Sequence, residues 1–470
     1  MDFETVVAEA AHFFAAQPAT QPVRIISNKD TDGITAAAIL VVALRSSNQP
    51  SVTTFIKQLT PDFLTTLERE SYTVYFFLDM GASSLSLLAQ HLAGKTLFVL
   101  DHHYPSSAVL PAQIIHLNPH LLQIDGTKSI SAAGIAYLFA KALHPSHISL
   151  AYLAVIGALG DMQEHFGFRG LNETILKDAL LSRRLSLHYG LRLFGIHTKP
   201  LHKFLTYTTS PYIPSVSGSE KGALQFLKTI GIQPREGERY KWLSDLAEQD
   251  IEKLSSALLV YQSPSLSLST LFGPLYLLPR EPRDSPTYDA IEFSTLLNAC
   301  GKMGHPSLGL GVCLGDKKCL EKATLLLHHY HHEIMECLIW FYKFRGTPAV
   351  QETESYVFIQ AENAIRDGLI GTLVSLLSKS HLYVEGTVLI GSATMLSDEI
   401  KVSSRICGFK ESPLDLRKII LQALEKTGGQ GGGHRLAAGA ILPSGKGSLF
   451  LQACASLLQQ EFVTPSITSA

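Results

Sequence analysis

The chain is short of the features that mark secreted, membrane-spanning or polyanion-coating proteins. Its 470 residues carry six cysteines, Cys300, Cys313, Cys319, Cys337, Cys407 and Cys454, and no Cys-x-x-Cys pair. Thiols this sparse build no disulfide framework and are expected to be reduced and mostly buried. Long apolar runs are also missing: the longest, residues 35–44 and 150–160, fall well short of the roughly 18 residues that a membrane span needs. That matters because the hydrophobic content of 46% and mean hydropathy of +0.16 are high for a soluble protein. The start, Met1-Asp2-Phe3-Glu4, has no basic region of the kind that opens a secretory leader, so a cytoplasmic protein with no membrane partner is expected. Excess charge is absent as well. Lys and Arg number 39 against 41 Asp and Glu, a net charge of −2, so any nucleic acid must be held by a local cationic patch.

What is present is a series of short apolar segments that end in acids. A chain of this length predicts two or three domains. Residues 3–16 repeat apolar side chains at helical spacing. Val23-Arg24-Ile25-Ile26-Ser27 reads as a strand and stops at Asn28-Lys29-Asp30-Thr31-Asp32-Gly33, after which residues 34–45 read as a helix. The pattern recurs: a strand over 72–78 ends at Asp79-Met80-Gly81, helical residues 84–92 follow, and a strand over 96–100 ends at Asp101-His102-His103. Apolar strands alternating with helices predict a parallel sheet covered on both faces. In such sheets the loops at the carboxyl ends of the strands line one crevice, so Asp30, Asp32, Asp79, Asp101, His102 and His103 should converge. The apolar stretch 150–159 adds Asp161, directly after Gly160. Carboxylates within a few ångströms of one another do not all ionise unless a positive charge offsets them, and Lys29 is one cation among several acids. An acidic loop edge facing water is the alternative; two divalent metals explain the set better.

From about 196 to 345 the acid-ended strands stop, and helical patterns at 222–230, 243–261 and 324–342 flank a Ser/Pro-rich connector over 262–286. This section reads as an α-rich insertion whose exposed loops suit a partner. His328-His329-Tyr330-His331-His332 has a metal-binding composition, but consecutive helical positions point in different directions, which favours a solvated or partly packed helix. The last 125 residues return to α/β. Strands are expected over 356–359, 387–391 and 399–403, with helices over 368–377 and 414–425. The glycine-rich Thr427-Gly428-Gly429-Gln430-Gly431-Gly432-Gly433-His434-Arg435 reads as a loop whose backbone can approach an anion closely, with Arg405, His434 and Arg435 adding charge.

These motifs, taken in order with Ser403-Ser404-Arg405 and Gly431-Gly432-Gly433-His434, resemble the DHH phosphoesterase superfamily with its C-terminal DHHA1 domain. Pro211-Tyr212-Ile213-Pro214, Gly218-Ser219-Glu220 and residues 292–301 resemble the archaeal RecJ-like nuclease branch in particular. The resemblance implies an N-terminal parallel-sheet DHH domain over 1–195, an α-rich insertion over 196–345 and a smaller α/β DHHA1 domain over 346–470, with the active site in the cleft between the two α/β domains. It also implies two divalent metal ions, manganese first and magnesium second. Asn28, Asp30 and Asp79 would hold one ion, and Asp32, Asp79, His102 and Asp161 the other, with Asp79 shared. His103 would face the substrate and Asp101 would orient a histidine. Ser403, Arg405, Gly431, Gly432, Gly433 and His434 would hold a substrate phosphate. Two cations about 4 Å apart activate a water and stabilise both oxygens of an in-line displacement at phosphorus. The chain departs from the family at Asn28, where His or Asp is usual; an uncharged amide is the poorer metal ligand.

The function implied is a metal-dependent, single-strand-specific exonuclease of DNA or RNA, in replication or repair, with a repair helicase as a possible protein partner. Two rivals remain. One is a replisome scaffold of the same fold that binds GINS-like proteins and has little activity. The other is a phosphoesterase for short oligonucleotides or cyclic dinucleotides.

Overall fold

The computed structural model describes residues 2–17, 21–106, 113–164, 167–208, 213, 215–261, 271–380, 382–408 and 414–463. Pro211, Tyr212, Pro214 and residues 262–270 of the expected connector lie outside these. The chain divides into two compact units, one of residues 1–192 with 272–328 and one of residues 193–271 with 329–470. The stretch expected as one insertion, 196–345, is thus shared between them.

The first unit is built on a five-stranded, wholly parallel sheet of order β2-β1-β3-β4-β5. Its strands are β1 (Val23–Asn28), β2 (Ser51–Ile56), β3 (Val74–Leu78), β4 (Thr96–Leu100) and β5 (Ile114–Leu117); β2 and β5 lack the acid-ended signature. Alternate residues of β3 and β4 point to opposite faces. Phe76 and Phe98 stack at 4.6 Å on one face, with Phe14 and Phe139 edge-on or tilted around them. Tyr75, Phe77, Leu97 and Val99 fill the other, under Leu64, Leu67, Leu85 and Leu88. Those leucines belong to α3 (Pro61–Glu68) and α4 (Leu85–His91), whereas Phe14 and Phe139 come from α1 (Phe3–Ala15) and α5 (Ala132–Leu143). Each ring buried this way contributes roughly 1.5–3 kcal/mol, which is why the central strands are apolar on both sides.

Helix α2 (Thr31–Ser46) is buried from Thr31 through Val41. It packs against α5 and α6 (Ala151–Gly160), which its run of Ala36, Ala37 and Ala38 allows by bringing helix axes close. With the order 2-1-3-4-5 the chain reverses direction across the sheet between β1 and β3, and the loops there leave a crevice. Asp30, Asp32 and Asp79 follow these two strands. After α7 (Leu171–Leu181), β6 (Ser186–Leu191) pairs antiparallel with β9 (Phe272–Leu277), which joins the two segments of the unit. The returning chain forms α11 (Ala290–Lys302) and α12 (Pro306–Cys313), both packed on α2.

In the second unit, helices α8 (Leu201–Tyr207), α9 (Glu220–Thr229) and α10 (Glu248–Tyr261) and the hairpin β7 (Arg235–Glu236) and β8 (Arg239–Tyr240) precede a six-stranded sheet. Its order is β10-β11-β12-β13-β15-β14, with only β11 and β12 parallel. These strands are β10 (Val350–Glu352), β11 (Tyr356–Gln360), β12 (Val388–Thr394), β13 (Ile400–Ile406), β14 (Gln430–His434) and β15 (Ala437–Leu442). Helix α14 (Asp367–Lys379) packs on β12 and β13. Helices α15 (Leu416–Thr427) and α16 (Gly447–Val463) bury Ile419, Ile420, Phe450 and Leu458 with Ile390 and Val402 of the sheet. Helix α13 (Lys317–Phe344) carries the chain from the first unit to the second. Within it His331 is buried beside the rings of Phe194 and Tyr207, while His329 and His332 face Glu333 and Glu336 at 3.4 Å. The histidines diverge as helical geometry requires. Among the described residues no helix is long and apolar enough to cross a membrane.

Candidate metal centre

The acids of the first unit meet at the carboxyl edge of its sheet, each delivered by a different device. Asp30 caps α2 and accepts from Gly33 N at 3.1 Å. Asp32, in the first turn of α2, is fully buried, and its two oxygens accept from Ala132 N at 2.7 Å and Ala133 N at 2.9 Å, the opening amides of α5. A helix N-terminus is a natural seat for an anion. Asp79 follows β3 with φ at 57°, a left-handed conformation that few non-glycine residues adopt and that tends to be kept at functional sites. Asp161 caps the C-terminus of α6. His102, from the end of β4, donates Nδ1–H to Gly126 O at 2.7 Å. That bond sets the ring so that Nε2 faces Asp161 Oδ2 at 2.9 Å, Asp79 Oδ1 at 3.3 Å and Asp32 Oδ2 at 3.8 Å.

One ligand atom from each of Asp32, Asp79, His102 and Asp161 lies within 4.8 Å of all the others, and Asp79, His102 and His103 form an overlapping group. Burial raises the Asp79 carboxyl well above its usual range, and repulsion from Asp30 adds to the rise. Burial and the charge of Asp161 lift Asp32 to about 7 and raise Asp30. Burial alone would lower His102, but the charge of Asp161 and contact with Asp161 and Asp79 raise it well above an ordinary imidazole. The acids therefore demand a positive charge, which a proton on His102 or a bound cation would supply. Asp79 Oδ1 and His102 Nε2 are both buried and, among the described residues, make no directed hydrogen bond, although they lie 3.3 Å apart. With its Nε2 proton released, His102 turns a lone pair toward these carboxylate oxygens, and one imidazole with three carboxylates is the donor set of a divalent metal.

Asp101 and His103 form a pair beside this set. Asp101 accepts from Ala82 N at 2.8 Å and from His103 Nδ1 at 2.7 Å. Burial would raise Asp101, yet the bonds and charge of His103 hold it below its usual range. In turn burial would lower His103, and Asp101 raises it instead. The expected orienter thus grips His103, while His102 is oriented by a backbone carbonyl. Asn28 sits behind Asp79, its amide nitrogen 2.9 Å from both Asp30 Oδ2 and Asp79 Oδ2.

Several supports carried no sequence signal of their own. Gln163 donates to Gly126 O at 3.0 Å and accepts from Asn172 at 2.7 Å, bracing the carbonyl that holds His102. At Gly157 of α6 a Cβ would lie 2.6 Å from Asp32 Oδ1, and at Gly301 of α11 one would lie 1.8 Å from Lys29 O. Both glycines let a helix come down on a ligand-bearing segment.

The expected phosphate-binding residues all lie in the second unit. The glycine-rich stretch, expected as a loop, runs instead as edge strand β14 from Gln430 to His434. Glycine is tolerated here because β15 approaches closely: a Cβ on Gly431 would lie 2.8 Å from Gly439 O. The register aligns Ser403 and Gly432 on Gly439, Gly433 on Ala438 beside Ser404, and Arg405 and His434 on Ala437. Lys379, which the motifs did not single out, joins this group. Burial and then the Arg405 charge push its ammonium down to about 8. Two cations brought together against burial favour an anion.

Three domain models match the chain in order: the DHH family N-terminal domain over residues 22–158, the DHH-CID domain over 193–265 and the DHHA1 domain over 354–460. The chain belongs to the DHH superfamily with a C-terminal DHHA1 domain. It is 27% identical over 439 residues to an uncharacterized protein of Methanocaldococcus jannaschii, covering 92% of this chain and 91% of that one. Its fold is similar to RecJ from Thermus thermophilus in complex with Mn2+, with a TM-score of 0.60 and 16% identity over 97% of this chain. This chain spans 55% of that protein's length. It is also similar to CDC45 from Entamoeba histolytica, with a TM-score of 0.66 and 12% identity over 97% of this chain and 99% of that one.

Proposed function

We propose that this protein is a divalent-metal-dependent phosphodiester hydrolase acting on single-stranded DNA or RNA from an end. The observation that carries the reading is the convergence of Asp79 Oδ1 and His102 Nε2, both buried and without a directed hydrogen bond among the described residues, on the carboxylates of Asp32 and Asp161. Asp32, Asp79, His102 and Asp161 would hold the ion, and manganese is the first candidate because the Thermus RecJ was solved with Mn2+. When bound, such an ion offsets the acids, activates water and acts as a Lewis acid at phosphorus.

The chain's own residues supply the rest. Asp101 accepts from His103 Nδ1 and raises its pKa, which favours the charged imidazolium, so the partly exposed ring would offer a proton and a charge to the phosphate. Tyr104, next in sequence, is 68% exposed and stacks on His120 at 4.1 Å. An exposed aromatic ring already backed by another is a platform for a base, which favours a nucleic acid over a small phosphate ester. In the second unit, Ser403, Arg405, Lys379 and the edge strand through Gly431, Gly432, Gly433 and His434 would hold a further phosphate.

The scaffold reading is disfavoured by the cost of the site. Burying carboxylates without compensation costs several kcal/mol each, and a surface that only docks partners has no use for them. The test is digestion of end-labelled single-stranded DNA and RNA with Mn2+, Mg2+ or EDTA. Stepwise shortening with metal and none with EDTA is expected; intact strands under every condition would support the scaffold instead.

A further inference from the structure

Asn28 makes the two halves of the acidic cluster unequal. Its Oδ1 accepts from Lys29 N at 2.8 Å, so its amide nitrogen is the atom that faces the acids. That nitrogen donates to Asp30 Oδ2 and Asp79 Oδ2, both at 2.9 Å. The other Asp30 oxygen accepts from Gly33 N, which leaves each Asp30 oxygen with an N–H donor. Turning the amide over would set its NH2 against the Lys29 N–H and an oxygen against two carboxylates, so the observed orientation is the one the surroundings enforce. Nearby, Gly301 brings the end of α11 onto Lys29 O, and the adjacent Lys302 ammonium is among the charges that act on Asp30. On the far side of Asp79 the opposite holds: among the described residues Oδ1 and His102 Nε2 have no directed hydrogen bond and face each other at 3.3 Å.

We propose that the Asn28 amide fills the place of a second cation between Asp30 and Asp79, so that this protein binds one divalent ion per chain, at Asp32, Asp79, His102 and Asp161. The inference rests on the metal-site reading above and changes its count. An amide N–H2 offers two donors at once and satisfies one oxygen on each acid without adding charge. A second ion would have to displace both hydrogen bonds and would find only an uncharged ligand in Asn28. The site then works with a single ion plus His103, in place of the two ions expected from the sequence.

The test is Mn2+ binding to the full chain without substrate, by equilibrium dialysis and electron paramagnetic resonance. One Mn2+ per chain with the spectrum of an isolated ion is expected for the wild type. Asn28→Asp removes the donor and adds a carboxylate, and should bind two Mn2+ per chain with the coupled spectrum of a neighbouring pair. Asn28→His provides a second route to the same change should the Asp variant fold poorly. Two coupled ions in the wild type, or one ion in every folded variant, would overturn the proposal. The nuclease reading is judged separately: one bound ion without strand cleavage sinks that reading and leaves the count standing, whereas metal-dependent cleavage with two coupled ions does the reverse.

Discussion

His102 Nε2 lies 2.9 Å from Asp161 Oδ2, an imidazole from the end of a strand against a carboxylate from the end of a helix. Beyond the Gly126 O that its Nδ1–H reaches, His102 turns Nε2 toward carboxylates alone among the described residues. Together with Asp32 and Asp79, His102 and Asp161 form a centre whose charge is balanced only by a proton or a metal, and this exchange underlies the first prediction.

Asp79→Asn should have opposite effects on the metal-free and metal-loaded protein. Replacing a carboxyl that burial and Asp30 hold far above its usual range removes a destabilising charge, so the melting temperature in EDTA at pH 8 should rise. The stabilisation by Mn2+, which follows mass action, should nearly vanish, and strand cleavage should fall by several orders of magnitude. Differential scanning calorimetry with and without Mn2+ checks both signs; a variant that keeps the wild-type shift removes Asp79 from the site.

Gly157→Ala should damage the metal site without replacing a ligand. Its methyl would sit 2.5 Å from Ala133 Cβ and 2.6 Å from Asp32 Oδ1, inside van der Waals contact, so α6 or the carboxylate must move. Displacing a supporting group of a metal site costs about 10–100-fold in affinity, and overpacking costs about 1–3 kcal/mol of stability. Mn2+ titration and thermal melting of the variant measure the two. Unchanged values for both would mean that α6 does not position Asp32.

Tyr104→Ala should weaken single-strand binding by about 1–3 kcal/mol, the usual contribution of one base–aromatic stack, and leave Mn2+ affinity unchanged. Tyr104→Phe keeps the ring and should bind as the wild type does. Fluorescence anisotropy with a labelled oligonucleotide in EDTA separates binding from cleavage. Equal affinity for the Ala and Phe variants would rule out the stacking role.

Asp289 provides a pH test away from the centre. It caps α11, accepting from Ile291 N and Glu292 N, and burial lifts it to about 6. The native carboxyl binds its proton more tightly than the unfolded one. The stability it confers is therefore complete below the unfolded value of 3.8 and is lost as pH rises through about 6. Asp289→Asn keeps a good cap and should be more stable than wild type at pH 7.5 by roughly 1–3 kcal/mol, a gain that disappears at pH 4. Urea unfolding at the two pH values checks this, and a gain of equal size at both would contradict the sign.

Much of this was legible in the chain because strands and helices of a parallel sheet are written in local pattern. Apolar runs ending at Asn28, Asp79 and Asp101 mark strand ends, and the rule that such ends share a crevice brings Asp30, Asp32, Asp79 and His102 together before any coordinates exist. The edge strands β2 and β5 escaped that reading because Ser51–Ile56 is only half buried and Ile114–Leu117 is short, which leaves little apolar signal. The glycine run reads as a loop for a related reason: glycine reports permitted closeness, and only pairing with β15 shows that it serves a strand. What tertiary structure alone decided is which atom faces which. The orientation of the Asn28 amide depends on Lys29 N–H and two acids meeting from different strands. Likewise Gly157 and Gly301 count only because helices remote in sequence descend onto Asp32 and Lys29. Residue types and spacing determine that carboxylates gather here. How many cations the cluster admits depends on hydrogen bonds made across the fold, and those exist only once it has closed.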